Sequence, residues 1–362
     1  MEKNIAVLSG DGIGPEVINQ SLKILDAIGK KYNHNFIYHK CLIGGISIKK
    51  TGIPLTKDTL DTCLGCDSIL FGAIGDPKYD NNTNLKIRPE QGLLKLRKKM
   101  GLYCNIRPIK VYKYLLKKSP IKKAYIENVD FIIYRELTNG IYFGKKGISK
   151  NRNKAYDICN YNKKTISRIA IRAFKAALKR KKKVTLVDKA NVLATSRLWR
   201  ETLKEINLKF KEVQLDYLFI DNASMQMIIN PKQFDILLTE NMFGDILSDE
   251  ASAIVGSLGL LPSSSIGKKT SIYEPIHGSY PKAAVKNIAN PLGSILSVSM
   301  MLKDFKMNKE SLLINKIVKN SIKNGIFTKD INSKKFFSTK KVGDFLVNYI
   351  LKYKKKHTND NI

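Results

Sequence analysis

Acidic residues are scarce in this chain. There are 31 Asp and Glu against 64 Lys and Arg, a formal net charge of +33 over 362 residues. Such a balance favours nucleic acid, anionic membranes or acidic metabolites as partners. The lysines, however, are spread along the whole chain rather than gathered into one stripe, and no RNA- or DNA-binding module signature accompanies them. Lys, Asn and Ile are the residues of AT-rich codons, so genome base composition accounts for the excess more simply than a nucleic-acid partner. Long hydrophobic runs are missing too. The first one, Ile5-Ala6-Val7-Leu8, is too short for a signal peptide, and nothing approaches a membrane span, so a cytoplasmic protein with no membrane partner is expected. The five cysteines (Cys41, Cys63, Cys66, Cys104 and Cys159) show no disulfide-framework pattern. Cys63-Leu64-Gly65-Cys66 has neither a second pair nor a nearby histidine, which argues against zinc. It precedes the apolar run Ser68-Ile69-Leu70-Phe71 and is expected to pack there as small buried residues.

What is present is an ordinary 43% of apolar residues, enough for two domains or one large α/β body. Short apolar runs alternate with helical patterns. Strands are expected at Ile5–Leu8, Ile69–Phe71, Phe131–Tyr134, Val184–Val187 and Phe234–Leu238, and helices at Pro15–Gly29, Gly92–Met100 and Ile166–Lys179. Asn139-Gly140 and Gly144–Gly147 mark tight turns around Ile141-Tyr142-Phe143. Gly10-Asp11-Gly12-Ile13-Gly14-Pro15 follows a strand but is not the dinucleotide fingerprint, because its third glycine comes one residue early and a proline follows. There is no internal repeat and no long linker, and the polar tail Lys352–Ile362 is expected to fray.

The stretch Asn241-Met242-Phe243-Gly244-Asp245-Ile246-Leu247-Ser248-Asp249-Glu250 is the most informative. On a helix, Asp245 and Asp249 share one face. Two hard oxygen ligands on a rigid element suit Mg²⁺ or Mn²⁺. Acidic residues also favour the first turn of any helix, so the pair alone does not decide. Arg97, Arg107 and Arg135 each stand where a guanidinium can hold a carboxylate through two parallel hydrogen bonds, with surface salt bridges the plain alternative. Lys189, at the end of a strand, can accept a proton if neighbouring cations lower its pKa, and Tyr142, between two glycine turns, can donate one. Asp221 offers a third metal carboxylate or a helix N-cap.

With these residues in place, the chain resembles the metal-dependent, decarboxylating β-hydroxyacid dehydrogenases, the isocitrate/isopropylmalate dehydrogenase family. The matching segments are Gly10–Glu16, Glu90–Arg97, Asn105–Pro108, Arg135–Gly144, Asp188–Leu193, Ile220–Ala223, Asn241–Ser252, Gly256–Pro262, Glu274–Ser279 and Asn287–Pro291, in family order and over nearly the whole chain. The resemblance implies a two-domain α/β fold with a central mixed β-sheet, not a Rossmann fold. Residues 1–103 and 256–362 would form a larger domain with the cofactor loops, and 104–255 a smaller one with the metal ligands and dimer interface. It implies a divalent metal on Asp221, Asp245 and Asp249, and a substrate clamp of Arg97, Arg107 and Arg135. Lys189 would be the base and Tyr142 the acid. Ile13, His277, Gly278, Ser279, Lys282 and Asn290 would bind NAD, and Glu90 would join the site from the Glu90–Arg97 helix. It also implies a homodimer in which Lys189 and Asp221 reach into the partner's site.

The resemblance implies that the Glu90–Arg97 helix carries the side group of the substrate. Leu93 and Leu94 there, with Val192, form an apolar patch that suits an isopropyl group, so 3-isopropylmalate is the expected substrate, whereas an isocitrate enzyme would place small polar residues. Burying one isopropyl group is worth about 2 kcal/mol. The cofactor loop departs from the family pattern. Lys282 stands where an aspartate holds the ribose hydroxyls of NAD, which removes the repulsion toward the 2′-phosphate of NADP. Val285 replaces a glycine, which strains the turn if that turn needs positive φ. The alternatives are an isocitrate- or malate-type decarboxylase preferring NADP, or a non-catalytic basic binding protein.

Overall fold

The structure is a computed structural model and describes residues 1–80 and 85–353; residues 354–362 of the tail expected to fray lie outside the described residues. Its strands, in chain order, are β1 (Glu2–Gly10), β2 (Asn35–Lys40), β3 (Ser68–Ala73), β4 (Cys104–Lys110), β5 (Asp130–Glu136), β6 (Lys146–Ile148), β7 (Ala155–Asp157), β8 (Lys183–Asp188), β9 (Gln214–Phe219), β10 (Ile236–Thr239), β11 (Pro262–Ile266) and β12 (Ile272–Pro275). Ten of them build one sheet in the order β2-β1-β3-β12-β11-β4-β5-β10-β8-β9, and β6 and β7 form a separate two-stranded ribbon.

The sheet has two parallel wings joined by an antiparallel centre. β2, β1, β3 and β12 run parallel, as do β5, β10, β8 and β9, while β12-β11, β11-β4 and β4-β5 are antiparallel. The wings explain the continuous apolar runs. All six residues of β3 and all four of β10 are buried, as parallel strands covered on both faces require. Strands from residues 1–103 and 256–362 make the half ending at β11, and strands from 104–255 the half beginning at β4.

Helices cover both faces. Gly14–Tyr32 starts with Pro15 in its first turn, where the missing N–H costs nothing, and ends on left-handed Asn33. It packs against Leu292–Asp304 and Thr339–Lys352. Lys163–Ala177, capped by the Asn162 side chain, lies with Ala194–Asn207 over the other wing. Cys63 and Cys66 are buried in the cluster around Phe71 and Leu96.

Some boundaries differ from expectation for local reasons. The helix expected from Gly92 starts at Pro89, where proline suits the first turn and the Gln91 side-chain oxygen accepts from the Arg88 N–H at 3.1 Å. The strand expected from Phe234 starts at Ile236, because Pro231–Gln233 forms a 3₁₀ turn first. Ile141–Phe143 stays in a turn, where the Gly140 carbonyl accepts from the N–H groups of Phe143 and Gly144.

Candidate active site

The antiparallel centre supplies the floor. Residues directly opposite in neighbouring strands point to the same face, and side chains two apart in one strand do likewise. Glu274 faces Ser263 across β12-β11, Ser265 faces Asn105 across β11-β4, and Asn105 faces Arg135 across β4-β5. Arg107 is two residues on from Asn105, so these polar side chains form one row. They are buried. The row is tied together: Asn105 Nδ2 donates to Ser263 Oγ at 2.7 Å, and Arg107 Nε donates to Asn105 Oδ1 at 2.6 Å.

The helix Asn241–Val255 lies over this floor and brings the carboxylates. Glu240 caps it, accepting from the Phe243 N–H. A Cβ at Gly244 would stand 2.7 Å from the Arg135 side chain, so glycine is what lets the helix come this close. Asp245 bonds Arg135 Nη1, lies 3.6 Å from Arg107 Nη2, and accepts from Tyr142 Oη at 3.1 Å. Burial raises the pKa of Asp245, but Arg135 and Arg107 outweigh it and hold the carboxyl below the usual range. Asp249, one turn on, is 3.9 Å from Arg107 Nη1, and burial followed by repulsion from Asp245 pushes it up despite Arg107. Burial, and then Asp245, also raise Tyr142, keeping its proton on. Arg107, Arg135, Tyr142, Asp245 and Asp249 are thus brought together.

Arg97 approaches from the helix Pro89–Lys99, where Glu90, Leu93, Leu94 and Arg97 follow the spacing of one helical stripe. Its Nη2 donates to Glu274 Oε1 at 3.1 Å, while its buried Nε has no partner. An unpartnered buried donor fits an absent acceptor such as a carboxylate. Leu93 is 8% exposed and belongs to the core cluster with Leu55, Leu96 and Met100, which leaves half-buried Leu94 as the freer of the two.

Lys189 and Asp221 stand apart from this group. Lys189 Nζ donates to Asp221 Oδ1 at 2.6 Å. The lysine backbone is fixed by Ser196, which accepts its N–H, and by Asp188, whose carboxylate takes two bonds from Arg200. Val192 shares this segment and is exposed. Among the described residues no group of three or more His, Cys, Asp or Glu side chains is placed to hold a metal ion. Asp221 therefore does not join Asp245 and Asp249 within one chain, because it is carried by the next helix, Ile220–Ile229, with its carboxylate facing solvent.

The cofactor candidates gather at the other wing. The Ile13 N–H donates to the Ser279 carbonyl at 2.8 Å, and a Cβ on left-handed Gly12 would meet that same carbonyl at 2.0 Å. The Glu90 carboxyl and the Ser279 hydroxyl both approach Gly75. An open cleft of about 740 Å³ borders Gly10–Gly12, Gly75, Asp76 and Pro281. His277 is buried; its Nδ1 lies 2.9 Å from the Gly278 carbonyl, so Nδ1 carries the proton and Nε2 is a bare acceptor with no partner. Burial lowers its pKa and keeps the ring neutral. Asn290 Nδ2 donates to Asp330 at 2.9 Å. Gly278 and Lys282 are exposed beside this loop. Val285 has φ 58° and is 94% exposed, so the turn does require the left-handed region there.

The sequence profile of the family described as isocitrate/isopropylmalate dehydrogenase matches residues 4–346. The chain belongs to the isocitrate/isopropylmalate dehydrogenase family. Similar curated family members include 3-isopropylmalate dehydrogenase of Bacteroides fragilis, 48% identical over 97% of this chain and 100% of the relative. That of Aquifex aeolicus is 47% identical over 98% and 99%. Among solved structures of the family, isocitrate dehydrogenase from Methylococcus capsulatus superposes with a TM-score of 0.87 at 30% identity, covering 97% of this chain and 100% of that one. A β-decarboxylating dehydrogenase from Thermococcus kodakarensis gives 0.77 at 31%, covering 96% of each.

Asn105, Glu274, Ser248 and Asn241 touch the arginines, yet none was singled out from the sequence. For Asn105 a signal existed: polar residues at Asn105 and Arg107, two apart in a strand, mark one polar face. Ser248, whose hydroxyl accepts from Arg107, carried none.

Proposed function

We propose that this protein oxidatively decarboxylates 3-isopropylmalate to 4-methyl-2-oxopentanoate with reduction of NAD, a step of leucine biosynthesis. The observation that carries the reading is the convergence of Arg107, Arg135 and Tyr142 on Asp245 beside Asp249. This is a cationic floor with a proton donor and two hard oxygen ligands. The names of relatives at 47–48% identity favour isopropylmalate over isocitrate. A set of acid, base, arginines and aspartates this complete argues against a purely binding role.

The residues fit a divalent ion, since Asp245 and Asp249 offer carboxylate oxygens one helical turn apart. Asp221 of a second copy would add a third. They also fit a nicotinamide dinucleotide, whose amino groups match the unpartnered His277 Nε2. When bound, Mg²⁺ or Mn²⁺ supplies Lewis-acid polarisation of the substrate oxygens, and the nicotinamide accepts the hydride. Arg97, Arg107 and Arg135 hold and orient the substrate carboxylates through paired N–H donors. Lys189 of the second copy, once its ammonium has released a proton to solvent, takes the hydroxyl proton on Nζ. Tyr142 Oη returns a proton to the carbon that has lost CO₂. Leu94, backed by Leu93, meets the isopropyl group, and Val192 of the second copy adds to that wall. Glu90, Ile13, Gly278, Ser279 and Asn290 line the cofactor, and Lys282 admits NADP beside NAD.

A homodimer follows from the same reading. Met225, Ile228, Ile229 and Ile246 are exposed apolar side chains on the two packed helices that carry Asp221 and Asp245. Pairing these faces between copies buries them and brings Lys189 and Asp221 to the other chain's site. No helix among the described residues is long and apolar enough to cross a membrane, and a cytoplasmic location fits this biosynthetic role.

The test is reduced-cofactor absorbance with purified protein, Mg²⁺ and 3-isopropylmalate, in parallel with NAD⁺ and NADP⁺, with and without a chelator. Turnover that the chelator abolishes is expected. Turnover of isocitrate or malate in its place would overturn the substrate.

A further inference from the structure

The Asn241 side chain hydrogen-bonds neither Tyr142 nor either metal-candidate carboxylate, yet it holds two parts of the site at once. It is 1% exposed and opens the helix Asn241–Val255. Its Oδ1 accepts from Arg135 Nε at 3.0 Å and from Arg135 Nη2 at 2.8 Å. Its Nδ2 donates to the Asn139 carbonyl at 3.1 Å. Only this orientation of the amide satisfies both neighbours, since a guanidinium offers donors alone and a carbonyl is an acceptor alone. Asn139 begins the turn that carries Tyr142. That turn is also anchored by the buried carboxylate of Glu136, which accepts from the Thr138 N–H at 2.9 Å and the Asn139 N–H at 2.9 Å. The Gly140 N–H donates to the Asn160 carbonyl at 2.9 Å.

Arg135 and Tyr142 in turn bond the two oxygens of one carboxylate, Asp245. The relative position of clamp and proton donor is thus set on one side by Asp245, which must also serve the substrate, and on the other by Asn241, which need not. We propose that Asn241 is a positioning residue that couples the Arg135 guanidinium to the Tyr142 turn, keeping the proton donor in register with the substrate clamp when Asp245 exchanges its contacts for ligand. This rests on the dehydrogenase reading above. Misplacement of a reacting group by about 1 Å costs on the order of a hundredfold in rate, so a single amide tie has leverage.

The two bonds can be cut separately. Asn241→Asp keeps volume and the oxygen facing Arg135 but replaces the donor to Asn139 with a second acceptor. Asn241→Ala removes both. The readouts are kcat, KM, and the deuterium isotope effect with substrate labelled at the carbinol carbon. Asn241→Ala raises KM and lowers kcat. Asn241→Asp lowers kcat by about ten- to a hundredfold, and its isotope effect falls toward one because carbon protonation, not hydride loss, limits turnover. In a Tyr142→Phe background, Asn241→Asp costs little further. The proposal is overturned if Asn241→Asp lowers the rate by the same factor in both backgrounds with an unchanged isotope effect. Should Asn241→Ala not fold, the near-isosteric Asn241→Asp decides alone. A wild-type protein inactive on every β-hydroxyacid offered would overturn the dehydrogenase reading instead. Amide exchange at Thr138–Gly140, faster in Asn241→Asp if the tie is real and unchanged if it is not, still decides the coupling.

Discussion

Lys189 and Asp221 are bonded to each other at 2.6 Å in a place where neither meets Asp245, and the aspartate side chain is 67% exposed. The Lys189 ammonium holds the Asp221 carboxyl below its ordinary range through a direct hydrogen bond. An ion pair this open contributes little to folding. Under the proposed homodimer, the pair would present a lysine and a carboxylate together to complete the site of a second copy.

That arrangement makes a complementation experiment decisive. Lys189→Ala and Asp245→Asn are each expected to be inactive alone. After mixed refolding, half the dimers carry one of each, and one of their two sites is intact. About a quarter of wild-type activity is expected. A mixture as inactive as its parents would show that each chain builds its site by itself.

Val285 sits at φ 58°, a conformation that costs a non-glycine residue roughly 1–2 kcal/mol. Glycine removes that strain but gains about 0.5–1 kcal/mol of unfolded-chain freedom. Val285→Gly is therefore expected to stabilise by up to ~1 kcal/mol, read as a higher urea midpoint. A lower midpoint would mean that the loop relaxes around valine at no cost.

Lys282 is exposed in the loop proposed to bind the cofactor. Lys282→Asp is expected to raise the ratio of kcat/KM for NAD⁺ over NADP⁺ by tenfold or more, on the order of the charge discrimination such sites show. An unchanged ratio would remove this side chain from ribose recognition.

Leu94 is half-buried on the stripe that leads to Arg97, whereas Leu93 is core. Leu94→Asn is expected to lower kcat/KM for 3-isopropylmalate about tenfold more than for malate, the scale of one lost branched contact. Equal losses would place the isopropyl group elsewhere. Leu93→Asn is expected to fail in folding first, because it buries an unpaired amide.

His277 is held neutral, its pKa lowered from the ordinary 6.5 by burial. Below pH 6.5 the unfolded chain takes up a proton that the folded site resists, so stability falls as pH drops from there toward the folded value. His277→Asn is expected to flatten this part of the stability curve. Cofactor binding should hold through that window and weaken only below it, where the folded ring itself takes up a proton and Nε2 turns from acceptor to donor. Titration calorimetry with NAD⁺ in steps from neutral pH down to the onset of acid unfolding checks it, and an affinity that stays constant throughout would exclude Nε2 as an acceptor for the cofactor.

Sequence by itself determined the class of the fold, since apolar runs buried on both faces alternate with amphipathic helices. It also offered candidates for the chemistry, because helical spacing puts Asp245 and Asp249 on one face and Arg107 and Arg135 stand where a guanidinium can hold a carboxylate. It showed that the cofactor loop is unusual at Lys282 and Val285. Three things were left to tertiary structure. β11 and β12 enter the sheet out of chain order, so the polar row from Glu274 to Arg135 is assembled from two strand pairs, β4-β5 and β11-β12, that lie far apart in sequence. Leu93 and Leu94, adjacent and identical in type, part into a buried core residue and a half-buried one because a helix turns about 100° between them. Asn241 acquires its two partners only where the helix closes over Arg135, and a side chain's hydrogen bonds across such separations have no local periodicity to betray them. Local pattern fixes what each residue can do, and the crossing of distant elements decides which residues do it together.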